Sequence, residues 1–228
     1  MGIEQLRSKF EHLDRDLVTL RTGVLEPEEV SAVARDGKPA RHGSRPARGN
    51  ARRAAVLILI SEPGGDVVLT ERAATLRSHP SQVAFPGGGL EEGERAVDAA
   101  LREAQEEVGL DPALVDVFGA LPPSHVNASS FDVTAILGSW DGAGTVAVVD
   151  PGEVAAVHRV AVEELADPAS RFTATLPVGY RGPAFSAGGL FVWGFTAHLL
   201  NDVLEMGGWT RPWDTEHEIE VPAYLWRD

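Results

Sequence analysis

The stretch Gly88 to Leu110, GGLEEGERAVDAALREAQEEVGL, constrains the chain most: a glycine turn leads into an amphipathic helix that ends on another glycine. At about 100° per residue, Val97, Leu101, Ala104 and Val108 share a narrow stripe, while Glu103, Glu106 and Glu107 cluster elsewhere. One face packs and the other presents carboxylates. Gly109 suits the left-handed residue that closes a helix, so the glutamates sit near the negative end of the helix dipole. Stability alone favours lysine there. A divalent cation reverses the repulsion, and oxygen ligands of this type suit Mg²⁺ or Mn²⁺. The bland alternative is a solvated acidic face.

Such a metal site calls for phosphate chemistry. A bound cation neutralises and orients a diphosphate and lowers the pKa of an attacking water, with either a glutamate or the metal itself activating that water.

With 228 residues, 43% apolar and 24% charged, the chain has the length and composition of a folded globular protein. A formal net charge of −14 argues against a general grip on nucleic acid backbone. The absence of cysteine removes disulfides, thiol catalysis and thiolate zinc sites, and agrees with a cytoplasmic location. The charged N-terminus has no apolar leader core, and no apolar run is long enough for a membrane span.

The spacing of Leu6, Phe10, Leu13, Leu17 and Leu20 predicts an amphipathic helix from Ile3 to about Leu20, packed on the main domain, and Pro27 to Ala34 reads as a short helix. Asp36 to Arg53 is a basic, Gly- and Pro-rich connector, with a flap over an anionic substrate as the other reading. Ala54 to Ile60 and Asp66 to Thr70 predict a hairpin across Glu62-Pro63-Gly64-Gly65. Strands follow at Val115 to Leu121, Phe131 to Leu137, Val154 to Val160 and Leu190 to Trp193, with helices at Val162 to Ala166 and Thr196 to Met206. The expected class is α/β or α+β with a mixed sheet. Three segments are expected: residues 1–53, a main domain over 54–206, and a tail over 207–228 whose tryptophans, Trp209, Trp213 and Trp226, pack on the domain or support a homodimer.

The full spacing places five residues between Gly88 and Glu94 and seven more before Arg102-Glu103-Ala104-Gln105-Glu106-Glu107-Val108-Gly109-Leu110. It resembles the complete box of the Nudix hydrolase superfamily, with Ala104 smaller than the usual aliphatic. Val68-Leu69-Thr70-Glu71-Arg72-Ala73, then Arg77 and Phe85-Pro86-Gly87-Gly88, is similar to the coenzyme A pyrophosphatase branch, as is Gly188-Gly189-Leu190 through Ala197. Val68 and Ser81 depart from that pattern, in which Ser81 is a glycine suited to positive φ.

The resemblance spans Ala54 to Met206 and implies an α/β/α sandwich hydrolysing a nucleoside diphosphate derivative with Mg²⁺ or Mn²⁺. Coenzyme A or an acyl derivative, split into 3′,5′-ADP and (acyl-)4′-phosphopantetheine, is the implied substrate. ADP-ribose, a dinucleotide, and a non-catalytic ligand sensor are the alternatives. Glu103, Glu106 and Glu107 are the implied metal ligands and catalytic residues, Gly87, Gly88 and Gly89 let the backbone approach the substrate, and Arg72 and Arg77 offer forked donors to phosphate. Glu153 is a further candidate metal ligand or base. His79 and His125 stand in loops near the expected site, while Arg102 and Glu94 are expected to orient the box.

Overall fold

The computed structural model describes residues 2–10, 51–62, 65–76, 78–126 and 129–226. Its centre is β1 (Arg52–Ser61), an apolar strand buried from both sides. Alternation explains why: Ala55, Leu57 and Leu59 point to one cluster, Ile58 and Ile60 to the other. A strand with two apolar faces needs a layer on each.

β1 runs parallel to β7 (Phe131–Trp140) along its whole length, from Arg52↔Phe131 to Ser61↔Trp140. Its other edge is divided. Near the C-terminal end β2 (Asp66–Arg72) pairs at Ile60↔Val67, and near the N-terminal end β4 (Gly87–Gly89) pairs from Ala54↔Gly89 to Val56↔Gly87. The hairpin expected from Ala54 to Thr70 is thus reduced to a brief contact, and β2 makes its long pairing with β8 (Val154–Ala161). β3 (Val83–Ala84) completes that side, while β5 (Asp116–Ala120) and β6 (Ser124–Val126) pair with β7. Together these form an eight-stranded mixed sheet.

Helix α2 (Ala96–Val108) covers one face through Val97, Ala99, Ala100, Ala104 and Val108. The other face carries α1 (Ile3–Ser8), α3 (Val162–Ala166), α4 (Gly194–Met206) and a second sheet. That sheet has the order β11 (Leu190–Val192), β10 (Arg181–Ala187), β9 (Arg171–Thr175), β12 (Glu218–Glu220). The class is α+β with mixed sheets, as the interleaved strands and helices imply.

Helix α1 ends at Ser8, short of Leu20; residues 11–50, including the helix expected from Pro27 to Ala34, lie outside the described residues. Arg52 and Arg53, read as the end of a connector, extend β1 because β7 continues alongside them. The tail tryptophans pack on the domain: Trp209 against the larger cluster, Trp226 beside Leu225 and Val221, and Trp213 with its ring 4.7 Å from the Arg171 guanidinium.

Candidate active site

The three glycines of β4 meet different demands. Gly87 has φ +154, and a Cβ there would stand 2.6 Å from the Val56 Cα, so no other residue fits. At Gly88 a Cβ would stand 2.5 Å from Glu103 Oε1. The space that a Cβ at Gly88 would fill therefore receives the Glu103 carboxylate. Gly89 is open to solvent and nothing nearer than 4.0 Å would meet its Cβ, so close approach does not explain this glycine.

Past β4 the chain turns through Leu90 to Arg95 into α2, which Gly109 ends in the left-handed conformation, φ 70°. Glu94 accepts from the Glu91 N–H at 2.8 Å and forms a forked pair with Arg102, at 2.9 Å to Nε and 3.0 Å to Nη2. Arg102 also donates to Gly89 O at 3.1 Å, Glu103 Oε1 at 2.9 Å and Glu106 Oε2 at 3.0 Å. Arg102 and Glu94 thus join the turn to the helix, the contact expected of them. The (i, i+4) separation of Arg102 and Glu106 was the available sequence signal for the last of these contacts.

The three helix glutamates are not equivalent. Glu106 is 59% exposed, Glu103 15% exposed and Glu107 only 4% exposed. Glu107 Oε2 accepts from the Gly87 N–H at 3.0 Å. Burial pushes the Glu107 pKa up to about 7; the Gly87 N–H opposes this, Glu103 and Glu153 reinforce it, and Arg72 eases it. Burial also raises Glu103, against the pull of Arg102 and with the push of Glu106 and Glu153. Four carboxylates thus share one field. The common acidic face expected from the helical wheel is in fact graded from solvent into the core, because Glu107 reaches back beneath β4.

Arg72 arrives at the end of β2, and Glu153 in the turn just before β8. β2 and β8 pair at Arg72↔Val154 after a bulge at Glu71/Arg72, and the Ala73 N–H donates to Glu153 O at 2.8 Å. Arg72 Nε is buried with no hydrogen-bond partner among the described residues. The loop from Ala73 to Gln82 is closed by the Ser81 N–H to Arg72 O, 3.1 Å, and the Arg72 N–H to Gln82 O, 2.9 Å. His79 and Ser81 in this loop both take positive φ, 56° and 57°. The conformation that a glycine at Ser81 would favour is therefore retained by serine. Arg77 lies outside the described residues. His125 is not brought to the carboxylates: its Nδ1 meets Asp132 Oδ1 at 2.7 Å on β6, which β1 and β7 separate from β4.

Among the described residues no three carboxylate or imidazole groups already enclose a point where an ion could sit. Glu103 and Glu106 are drawn to Arg102, and Glu107 to a backbone N–H. The donor set is nevertheless all oxygen, as a hard divalent ion requires, and Glu107 is buried among like charges with only Arg72 and one N–H in compensation. These residues fit a divalent cation.

Residues 51–176 match the NUDIX domain family. An uncharacterized Nudix hydrolase, NudL, from Cronobacter sakazakii is 50% identical over 91 residues, which are 39% of this chain and 47% of that protein. NudL of Pectobacterium atrosepticum is 48% identical over 89 residues, covering 38% and 46%. The chain spans about half the length of the curated relatives it matches. A Nudix hydrolase of M. smegmatis, RenU, superposes with a TM-score of 0.51 at 18% identity, over 72% of this chain and 90% of that one, and so shares the fold. Nudix enzymes generally use divalent metal ions and act on small nucleoside diphosphate derivatives. No helix among the described residues is long and apolar enough to cross a membrane. A match that covers more than half of the chain, on a domain whose helix, glycine strand and carboxylates stand together, makes this protein a member of the Nudix hydrolase family.

Proposed function

We propose that the protein is a Mg²⁺- or Mn²⁺-dependent pyrophosphohydrolase of coenzyme A or its acyl derivatives, releasing 3′,5′-ADP and (acyl-)4′-phosphopantetheine. The observation that carries the metal-dependent chemistry is the buried Glu107 carboxylate, held under Gly87 in the field of Glu103 and Glu153. When bound, the cation supplies charge neutralisation for the diphosphate and lowers the pKa of an attacking water.

Glu103, Glu106 and Glu107 hold the ion, and Glu153 adds a fourth oxygen source from the neighbouring loop. With the cation bound, a box glutamate or the metal itself would activate the attacking water. Arg72, whose Nε has no hydrogen-bond partner among the described residues, binds a substrate phosphate; Arg77 does so by resemblance alone. Gly87 and Gly88 keep side chains out of the path, and Gly89 presents exposed backbone to the substrate.

The coenzyme A assignment rests on the pattern from Val68 to Gly88, and the positive φ of Ser81 supports it by keeping the backbone geometry for which that pattern uses glycine. Incubation with coenzyme A and Mg²⁺ or Mn²⁺, beside an ADP-ribose control, with products identified by mass spectrometry, tests both levels. Formation of 3′,5′-ADP and 4′-phosphopantetheine is the expected result. Turnover of ADP-ribose alone would remove coenzyme A and keep the hydrolase, and no turnover of Glu107→Gln is required in either case.

A further inference from the structure

Arg52 opens β1, and its guanidinium lies over the Phe131 ring, 4.2 Å from the centroid, with Nη2 also donating to Ser129 O at 3.4 Å. Strand register brings the two residues together at Arg52↔Phe131. It also fixes their side of the sheet. Ala55 and Leu57 face α2, whereas Ile58 and Ile60, of the same parity as Arg52, face away from it.

Gly89, paired with Ala54, faces that same side, and the one group within reach of a Cβ there is the Phe131 ring, at 4.0 Å. The preceding residue, Gly88, faces the opposite side and abuts Glu103. The phenyl ring and the carboxylates thus lie on either side of one three-residue edge strand, on the order of 10 Å apart. A substrate that reaches past Glu103 across the edge of β4 meets Gly89 and Phe131 next.

The same place offers a positive charge. Arg7, Arg95, Arg102, Arg159, Arg181 and Arg211 are each ion-paired. Arg52 is exposed, and no carboxylate among the described residues pairs with it, in a chain with 34 acidic and 20 basic residues. A guanidinium stacked on a ring keeps its edge donors available while its plane offers a second stacking surface.

We propose that Arg52 and Phe131, with the flat surface left by Gly89, form the nucleotide-end subsite: a purine base stacks on the guanidinium–phenyl pair, and the guanidinium edge binds a phosphate carried on the ribose outside the diphosphate. This deepens the pyrophosphohydrolase reading and rests on it. The subsite separates substrates with a ribose phosphate from those without one, a distinction that the carboxylate cluster, which handles only the diphosphate, cannot make.

Calorimetric titration of the full chain in EDTA, with adenosine 3′,5′-bisphosphate and AMP as probes, tests it without turnover. The wild type is expected to bind the bisphosphate roughly tenfold more tightly than AMP, and Arg52→Ala to erase that preference. Phe131→Leu, which keeps an apolar side chain, should weaken both probes several-fold and leave their ratio intact. Equal binding of the two probes by the wild type, or an undiminished preference in Arg52→Ala, overturns the proposal; so does an unchanged affinity of Phe131→Leu for both. Coenzyme A turnover, measured separately with metal, decides the coenzyme A reading: activity without probe discrimination removes the subsite alone, and discrimination without activity removes coenzyme A as the substrate alone.

Discussion

The Glu103 carboxylate occupies the space where a side chain at Gly88 would begin, with Oε1 2.5 Å from an ideal Cβ. Strand β4 and helix α2 are therefore fitted to each other at the candidate site. Gly88→Ala must push Glu103 aside, and a displacement of about 1 Å at such a site costs roughly a hundredfold in rate. We expect kcat/KM to fall by about that factor with unfolding little changed, because Glu103 can swing towards solvent. Retention of wild-type kinetics would show that Glu103 has no fixed place in the chemistry.

Arg102 ties the turn at Glu94, the backbone of Gly89 and two helix glutamates to one guanidinium. Arg102→Lys keeps the charge and loses the fork. Its kcat/KM is expected to drop roughly ten- to a hundredfold, the usual cost of removing a group that orients metal ligands, with metal affinity lowered in parallel. Metal titration followed by activity assay reads both quantities.

The raised pKa of Glu107 makes the metal-free protein pH-sensitive in a defined direction. Below pH about 4.5 the carboxyl is protonated folded or unfolded, so its contribution is fully present. As pH rises from there to about 7, the unfolded chain ionises first and stability is lost, by on the order of 3 kcal/mol as an upper bound. Denaturation in EDTA should show this decline, Glu107→Gln should flatten it, and Mg²⁺ should restore stability most at alkaline pH, where no proton needs displacing. Increasing stability of the metal-free protein across that window, attributable to Glu107, would contradict the assignment.

Ser81 holds φ 57°, a conformation that costs a residue with a side chain about 1 kcal/mol relative to glycine. Ser81→Gly should relieve this, with part of the gain offset by the greater freedom of the unfolded chain. A net stabilisation of about 0.5 kcal/mol in urea midpoint at constant m value is expected, with hydrolysis unimpaired.

Arg7 fastens α1 to the far end of the sheet through Asp116 at 2.7 Å, Glu62 at 3.0 Å and the Ser139 hydroxyl, with its guanidinium over Phe118. Arg7→Ala is expected to cost about 1–2 kcal/mol in denaturant unfolding. Its kcat/KM should stay at the wild-type value, since these contacts gather near Ser61 while β4 pairs at Ala54 to Val56.

Much of this arrangement was legible in the chain. The 3.6-residue rhythm located α2, and Val97, Ala104 and Val108 are buried as that rhythm requires. The continuous apolar run of β1 likewise announced a strand with two covered faces. β9 and β10 escaped because Arg171 begins the first and Pro183 interrupts the second, which hides them from a reading based on apolar runs. β4 escaped for a different reason: three glycines carry no β propensity, and only pairing with β1 makes them a strand. The depth of Glu107 was equally invisible, since helical spacing fixes a direction around the axis but not what lies beyond it.

Leu6 and Phe10 are buried in the same cluster as Ile58 and Leu137, and the opposite end of the chain adds Phe185, Val192, Leu200 and Val203. All six of these flanking side chains fall outside residues 51–176, the span that defines the family. Expression of that span by itself would keep Val162, Leu165 and Ala166 on that face of the large sheet but uncover the part that these six side chains pack against, a surface prone to aggregation. The borders of the shared hydrolytic region and the borders of the unit that folds are consequently different borders.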